Sequence, residues 1–152
     1  MTRHIHLDAV GFAYPSGFAL TNIHLTIEQG EMVAILGPNG SGKTTLLKLM
    51  LGLLPPRQGQ VYFEGGALGG VSRRELARAM AMVPQEMPLS YGLTVWEVVL
   101  LGRTPYLRRF RGSTSEDREA VLAAMAAADI QASASRPFNE LSGGERQRVL
   151  LA

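Results

Sequence analysis

The stretch GPNGSGKT, residues 37–44, constrains the fold of this chain more than any other. It matches the spacing G-x-x-x-x-G-K-[ST], the P-loop pattern in which backbone amides surround phosphate groups. Glycines allow the required tight curl and leave no side chain in the way. A continuously apolar strand is predicted before the loop at 32–36, and a helix is predicted after it, ending near Gly52. The alternative interpretation is a plain glycine turn between a strand and a helix.

The polar residues of this loop suit a triphosphate. Lys43 provides a positive charge for the outer phosphates, and the hydroxyl of Thr44 is a candidate ligand for Mg²⁺, a hard cation that prefers oxygen. The N-terminal end of the following helix adds its own positive potential. The predicted nucleotide-binding residues of the loop are Gly37, Pro38, Asn39, Gly40, Ser41, Gly42, Lys43, Thr44 and Thr45.

Composition describes a globular chain of about one domain. Of its 152 residues, 46% are apolar and 18% are charged, and the net charge of +2 is too small to indicate nucleic acid by itself. The absence of cysteine excludes a disulfide framework and a thiolate metal site. No signal peptide is recognised, and no apolar run reaches the ~18 residues of a membrane span, so we expect any membrane role to depend on a partner.

Strands alternating with helices over the first part of the chain predict an α/β core with a parallel sheet. The first two strands are joined by a turn at YPSGF, and Ser72 with Glu75 has the spacing of a capping box at the start of a short helix. The predicted strands are 3–10, 20–27, 32–36, 60–65 and 80–85.

The sequence pattern from about residue 89 to residue 136 predicts mostly helices. One helix is predicted over 93–102, and another over 116–130, where an acidic first turn suits the helix dipole. We interpret this part as a helical insertion in the α/β core. The cap of the second helix is predicted among Ser113, Thr114 and Ser115. A cluster of arginines is interpreted as a solvated basic face, namely Arg103, Arg108, Arg109 and Arg111.

The stretch LSGGERQRV, residues 141–149, closely resembles the signature motif of ATP-binding-cassette (ABC) ATPases. The resemblance implies that this motif reaches the γ-phosphate bound to a second subunit, in a head-to-tail homodimer. A serine hydroxyl, two glycine amides and a helix at 145–152 with its N-terminus toward an anion fit that role. An ordinary helix N-cap without a ligand is the alternative. The implied signature residues are Leu141, Ser142, Gly143, Gly144 and Glu145.

The same resemblance assigns two further positions by their order in the chain. Tyr14 takes the place of the family's aromatic residue that stacks on adenine, although a strand-end tyrosine can also pack on the core. Gln85 takes the place of the Q-loop glutamine near Mg²⁺ and the attacking water, although it can also be a plain loop residue. The implied catalytic residues are Lys43 and Gln85, the implied Mg²⁺ ligands are Thr44 and Gln85, and the bound nucleotide is ATP.

The implied fold is the P-loop NTPase fold of an ABC-type nucleotide-binding domain, with N-terminal antiparallel strands and a helical insertion. Residues 1–88 would form the β-subdomain and P-loop core, 89–140 the helical subdomain, and 141–152 the signature and the start of its helix. Family members continue into a strand with a metal-binding aspartate and a glutamate base. Because the three histidines precede the P-loop, they cannot replace the family's later histidine, and we expect them on strand surfaces.

The stretches VVLLGRTPYLRRF and RPFNELSGGERQRVLLA resemble importers of iron–siderophore, haem or cobalamin compounds. This implies an ATPase subunit that moves a permease from the cytoplasmic face of the bacterial inner membrane, with a substrate-binding protein as an indirect partner and no nucleic acid. A permease loop would dock within 85–111, where Trp96 and Tyr106 are candidate contacts or else core aromatics.

The chain stops at Ala152, shortly after the signature, and we therefore expect an N-terminal fragment of a longer protein. Such a fragment would lack the base and one metal ligand, and it should be poorly stable and inactive in hydrolysis by itself. Two alternatives remain at this point: a soluble ABC protein that acts on nucleic acid or ribosomes, and a non-catalytic fragment that only binds nucleotide.

Overall fold

A computed structural model of the chain describes residues 3–85, 92–107 and 112–152. Its contacts divide the chain into two compact units, Met1–Ala81 and Met82–Ala152. The first unit contains β1 (Arg3–Ala13), β2 (Ala19–Glu28), α1 (Lys43–Met50), β3 (Gln58–Phe63), β4 (Gly66–Ala67) and α2 (Arg73–Ala79). The second unit contains α3 (Val95–Leu101), α4 (Ser115–Ala127) and α5 (Gly143–Leu151), with short 3₁₀ turns at Gln131–Ser133 and Phe138–Glu140.

The first unit is built on an antiparallel sheet with the strand order β2-β1-β3-β4. The predicted hairpin of the first two strands is confirmed, and Leu7 of β1 pairs with Leu25 of β2 and Val61 of β3. A bulge in β1 places Ala9 in the left-handed region at φ 48°, which returns Val10 to the buried side of the sheet. Leu49 and Met50 of α1 pack in the same core cluster.

The opposite face of this sheet is polar. His6 forms a hydrogen bond with Thr26, His24 lies beside Asp8, and His4 lies beside Glu64. This agrees with the expectation that the histidines lie on strand surfaces. The predicted helix after Gly42, the strand near 60–65 and the capping box of Ser72 are also confirmed.

Two predicted strands, 32–36 and 80–85, are wrong for this structure. Neither segment forms a ladder, and among the described residues every paired strand is antiparallel, so the expected parallel sheet does not form. Ile35 and Met80 still pack against the core of the first unit, whereas Met32 is 98% exposed and Leu36 is 91% exposed. An apolar run indicates a capacity for burial, but a strand also needs a hydrogen-bonding neighbour, and no described strand lies beside either segment.

The second unit is a small helical core, as predicted for the insertion. Val98 and Val99 of α3, Met125 of α4 and Val149 of α5 are buried in one cluster, together with Phe138 from the preceding turn. The predicted helices over 93–102 and 116–130 are confirmed as α3 and α4; α3 is shorter at both ends, and α4 begins one residue earlier and ends three residues earlier than predicted. The cap of α4 is Thr114, one of the three hydroxyl residues predicted for it.

Two details of the second unit differ from expectation. The helix of the signature begins at Gly143 rather than at 145, because Ser142 caps it. Arg103 does not belong to a solvated basic face: its Nε lies 3.0 Å from Oδ1 of Asp117, and the two side chains are 21% and 7% exposed. The other three arginines of that predicted face, Arg108, Arg109 and Arg111, lie outside the described residues.

The three-part domain division at residues 88 and 140 stays a prediction. The two compact units of the structure divide between residues 81 and 82. Within residues 3–85, 92–107 and 112–152, no helix has both the length and the apolar character that crossing a membrane requires.

Candidate functional site

The glycine-rich loop forms a tight curl that leads directly into α1. Gly40 and Gly42 both adopt left-handed backbone angles, with φ 82° and 95°. The amide of Ser41 donates to the carbonyl of Pro38 at 3.3 Å, which closes the turn. Gly42 is the N-cap of α1, so the first backbone amides of the helix follow the curl immediately. The loop therefore offers a concentrated set of backbone donors at the positive end of a helix.

The hairpin of β1 and β2 approaches this loop closely at one of its glycines. A Cβ on Gly42 would lie 2.7 Å from Cζ of Phe18 and 2.8 Å from Cδ2 of Leu20. A Cβ on Gly40 would meet no atom of the described residues within 4 Å. Glycine is thus favoured at position 42 both by its backbone angle and by the hairpin packed against it, whereas at position 40 it is favoured by its angle alone.

The side chain of Lys43 lies back over the loop. Its ammonium group donates to the carbonyls of Gly37 and Pro38, each at 2.8 Å. This arrangement holds a positive charge at the curl, where an anion would bind. In the same first turn of α1 the two threonines that follow Lys43 differ, since Thr44 is exposed and Thr45 is buried. The exposed hydroxyl of Thr44 is the one available to a ligand or a cation.

Tyr14 lies on the hairpin that packs against the loop. Its amide donates to the carbonyl of Phe18 at 2.9 Å, and its ring meets Phe12 edge to face at 4.8 Å between centroids. Because Phe18 also packs against Gly42, the hairpin places an aromatic cluster next to the P-loop. The Tyr14 side chain is half-buried. Both interpretations of Tyr14, a base-stacking ring and a packing residue, agree with this geometry.

The signature forms the N-terminus of α5 through a complete capping box. The Ser142 hydroxyl accepts from the Glu145 amide, while Oε2 of Glu145 accepts from the Ser142 amide at 2.8 Å and from its hydroxyl at 2.7 Å. Hydrogen bonds from the Ser142 hydroxyl and amide, and then from the Arg136 guanidinium, lower the pKa of Glu145 to about 2. Glu145 is therefore ionised at neutral pH.

This box leaves two amides of the helix end unused. The N–H groups of Gly143 and Gly144 have no hydrogen-bond acceptor among the described residues, and a Cβ at either glycine would meet nothing within 4 Å. Neither glycine has a positive φ. Since glycine is a poor helix former, the described part of the chain gives no reason for two glycines in this turn. The backbone of this turn is therefore open to approach by another group.

The structure brings Tyr14 and the P-loop together within the first unit, and it places the signature and Gln85 in the second unit. Gln85 is exposed and directly precedes residues 86–91, which lie outside the described residues. Trp96 packs partly against the helical core, which favours its interpretation as a core aromatic. Tyr106 is 41% exposed, and the Arg103 guanidinium lies 4.1 Å from its ring centroid. The rest of the predicted docking segment, 86–91 and 108–111, is outside the described residues.

Two features of the site were missed from the sequence. The contact of Phe18 and Leu20 with Gly42 joins segments far apart in the chain, and no local pattern indicates it. The ion pair between Arg136 and Glu145 has no helical spacing either, although the pattern S-x-x-E at 142–145 is a recognisable capping box. In the part of the chain that the structure describes, no group of three or more His, Asp or Glu side chains could hold a metal ion.

Comparison with known proteins places these features in one family. The sequence profile of the ABC transporter family matches residues 20–152. The hemin import ATP-binding protein HmuV of Myxococcus xanthus is 46% identical over 90% of this chain and 50% of its own length. The probable siderophore transport system ATP-binding protein YusV of Bacillus subtilis is 36% identical over 97% of this chain and 54% of its own length. The chain thus spans about half the length of these two curated relatives.

A solved structure agrees with the sequence relatives. The ATP-binding cassette MJ0796, in a dimeric post-hydrolysis state bound to ADP and Pi, superposes with a TM-score of 0.79 at 32% identity. The match covers 97% of this chain and 67% of that one. It confirms the predicted fold class, a P-loop NTPase cassette with N-terminal antiparallel strands and a helical insertion. The chain therefore belongs to the ABC transporter family.

Proposed function

We propose that this chain carries the ATP-binding part of the ATPase subunit of an ABC importer for iron–siderophore, haem or cobalamin compounds. The observation that carries the proposal is the P-loop: a left-handed curl at the N-terminus of α1, with the Lys43 ammonium held over the loop carbonyls. Relatives named for hemin import and siderophore transport support the importer class. The sequence resemblance extends the class to cobalamin compounds.

The residues of the first unit have distinct roles in this proposal. The loop amides and Lys43 bind the phosphates of ATP, and the Tyr14 ring stacks on the adenine base. The Thr44 hydroxyl, which is exposed, is a suitable ligand for Mg²⁺, because this ion prefers oxygen donors. The role of Gln85, which lies in the second unit, stays a prediction from the sequence resemblance. When bound, Mg²⁺ neutralises charge on the phosphates, and phosphoryl transfer depends mostly on such charge placement.

The signature acts on the nucleotide of a second copy of the chain, in a head-to-tail homodimer. The Ser142 hydroxyl donates its only hydrogen bond to Glu145, so the amides of Gly143 and Gly144 are the donors available to a γ-phosphate. The two glycines fit this role because a phosphate can approach their backbone without meeting a Cβ. The dimeric state of the MJ0796 cassette supports the same assembly.

The proposed partner in transport is an integral-membrane permease at the cytoplasmic face of the bacterial inner membrane, with a substrate-binding protein acting indirectly. A permease loop would dock on residues 85–111, where Tyr106 is an exposed aromatic side chain. ATP binding and hydrolysis would change the association of the two copies and so move the permease.

The experiment that tests ATP binding uses two lysines of the same helix. Lys43 contacts the loop carbonyls, whereas Lys48 lies in the last turn of α1. We expect Lys43→Ala to weaken the binding of a fluorescent ATP analogue (mant-ATP) by roughly 10- to 100-fold, the range of a lost charge-assisted hydrogen bond. Lys48→Ala should change the affinity less than about twofold. Equal affinities for the wild type and Lys43→Ala would contradict the proposal.

A further inference from the structure

Two helices of the second unit have the same arrangement at their N-termini. At α4 the capping box joins Thr114 and Asp117, and at α5 it joins Ser142 and Glu145. In each case an arginine holds the free oxygen of the capping carboxylate at 3.0 Å, Arg103 at α4 and Arg136 at α5. The pair at α4 is the more buried of the two. It therefore provides an internal comparison for the pair at the signature.

Arg136 also contacts a second helix through its backbone. Its carbonyl accepts from the amide of Val95, the first residue of α3, at 3.0 Å. Beside it, the carbonyl of Ala134 accepts from the amide of Trp96 at 3.0 Å. These two bonds use the amides of α3 that its own capping box leaves free. The backbone of Arg136 is thus fixed on α3 while its side chain reaches the first turn of α5.

The carboxylate of Glu145 is a difficulty for a helix end that receives phosphate. It lies in the first turn of α5, where its negative charge opposes a second anion near the amides of Gly143 and Gly144. The guanidinium of Arg136 compensates that charge. The guanidinium also accounts for Oε1 of Glu145, to which it donates a hydrogen bond, while Oε2 accepts from Ser142. The carboxylate is thereby held at the cap while the two glycine amides remain without an acceptor.

We infer that Arg136 is a positioning residue for the phosphate-receiving end of α5: it holds and neutralises Glu145, and it fixes this helix end to the start of α3. The inference rests on the proposed function of the signature as the receptor for a second copy's γ-phosphate. Arg136 itself need not touch the nucleotide, because it acts through Glu145 and the capping box. Arg136 therefore contributes to the association of two copies around the nucleotide, and it does not contribute to the binding of ATP by the P-loop.

The test uses the full-length protein. It compares the variant Arg136→Met with Arg136→Lys and Arg103→Met. Two quantities are measured: mant-ATP affinity, and association of two copies in the non-hydrolysable analogue AMP-PNP by sedimentation velocity. We expect Arg136→Met to keep mant-ATP affinity within about twofold and to weaken association at least ~10-fold, which is ~1.4 kcal/mol. Arg136→Lys should recover part of the loss because it restores the charge. Arg103→Met should associate within about twofold of the wild type, even if its melting temperature falls.

Three outcomes would overturn the inference. Wild-type association in Arg136→Met would show that the contact has no such role. Equal losses in Arg136→Met and Arg103→Met would show a general structural effect. Gly144→Leu identifies a failure of the proposed function itself, because its Cβ meets no described atom within 4 Å while the added side chain blocks an approaching phosphate. Unchanged association in Gly144→Leu would refute the phosphate-receiving role of the signature, and the role of Arg136 with it.

Discussion

Gly42 and Gly40 provide a quantitative test of the P-loop geometry. Both have left-handed backbone angles, so an alanine at either position costs about 1–2 kcal/mol in backbone strain. Only at Gly42 would the new Cβ meet neighbours, at 2.7 Å from Phe18 and 2.8 Å from Leu20. Such overpacking adds about 1–3 kcal/mol. We therefore expect Gly40→Ala to destabilise the first unit by about 1–2 kcal/mol and Gly42→Ala by about 2–5 kcal/mol.

The difference between the two variants is the informative quantity. A glycine-to-alanine change also restricts the unfolded chain, but this effect is similar at both positions and cancels in the comparison. Hydrogen exchange of the amides in α1 measures the local free energy of opening, and the amides of α4 in the second unit serve as an internal control. The exchange in α1 should be about 5- to 150-fold faster in Gly42→Ala than in Gly40→Ala. Equal exchange rates in the two variants would refute the close approach of β2 to the loop.

Other predictions concern the core of the second unit and the capping boxes of α5 and α2. Met125→Ala should lower the free energy of unfolding by about 2–5 kcal/mol because Met125 is 1% exposed. Leu122→Ala on the same helix should have little effect because Leu122 is 53% exposed. The fluorescence of Trp96 during urea unfolding measures the stability of both variants. The pKa of Glu145 falls from 4.5 to about 2 on folding. The stabilisation that its carboxylate gives to the folded state is therefore fully present above pH 4.5 and is lost as the pH falls toward 2. The stability difference between the wild type and Glu145→Gln should therefore shrink over that range in urea titrations, and a constant difference would contradict the capping role. Ser72→Ala removes the cap of α2 and should cost about 0.5–2 kcal/mol in urea unfolding, while unchanged stability would argue against the box.

Local sequence signals predicted the elements of this chain well wherever the relevant contacts are local. The capping box of Ser72, the cap of α4 and the curl before Lys43 each depend on residues within four or five positions of one another. The same holds for the hairpin of β1 and β2, since a short turn brings the two strands together. For these elements the pattern and the structure agree because the chemistry that forms them is contained in the pattern.

The failures have a common physical origin in long-range pairing. Residues 32–36 and 80–85 have the apolar composition of buried strands, but strand formation depends on neighbours that no local pattern specifies. Met32 and Leu36 are exposed because no described segment covers them. The contact of Phe18 with Gly42 and the ion pair of Arg136 with Glu145 were missed for a related reason, since each joins residues without a helical or strand spacing.

The central claim is that the P-loop of one copy and the signature of another form a single nucleotide site. Its most direct test mixes two variants that each alter one of the two motifs, Lys43→Ala labelled with a fluorescence donor and Gly144→Leu labelled with an acceptor. In a head-to-tail dimer of the two, one site still combines an intact P-loop with an intact signature. The account predicts AMP-PNP-dependent energy transfer in the mixture and little association of either variant alone. No transfer in the mixture, or equal association of each variant by itself, would contradict it.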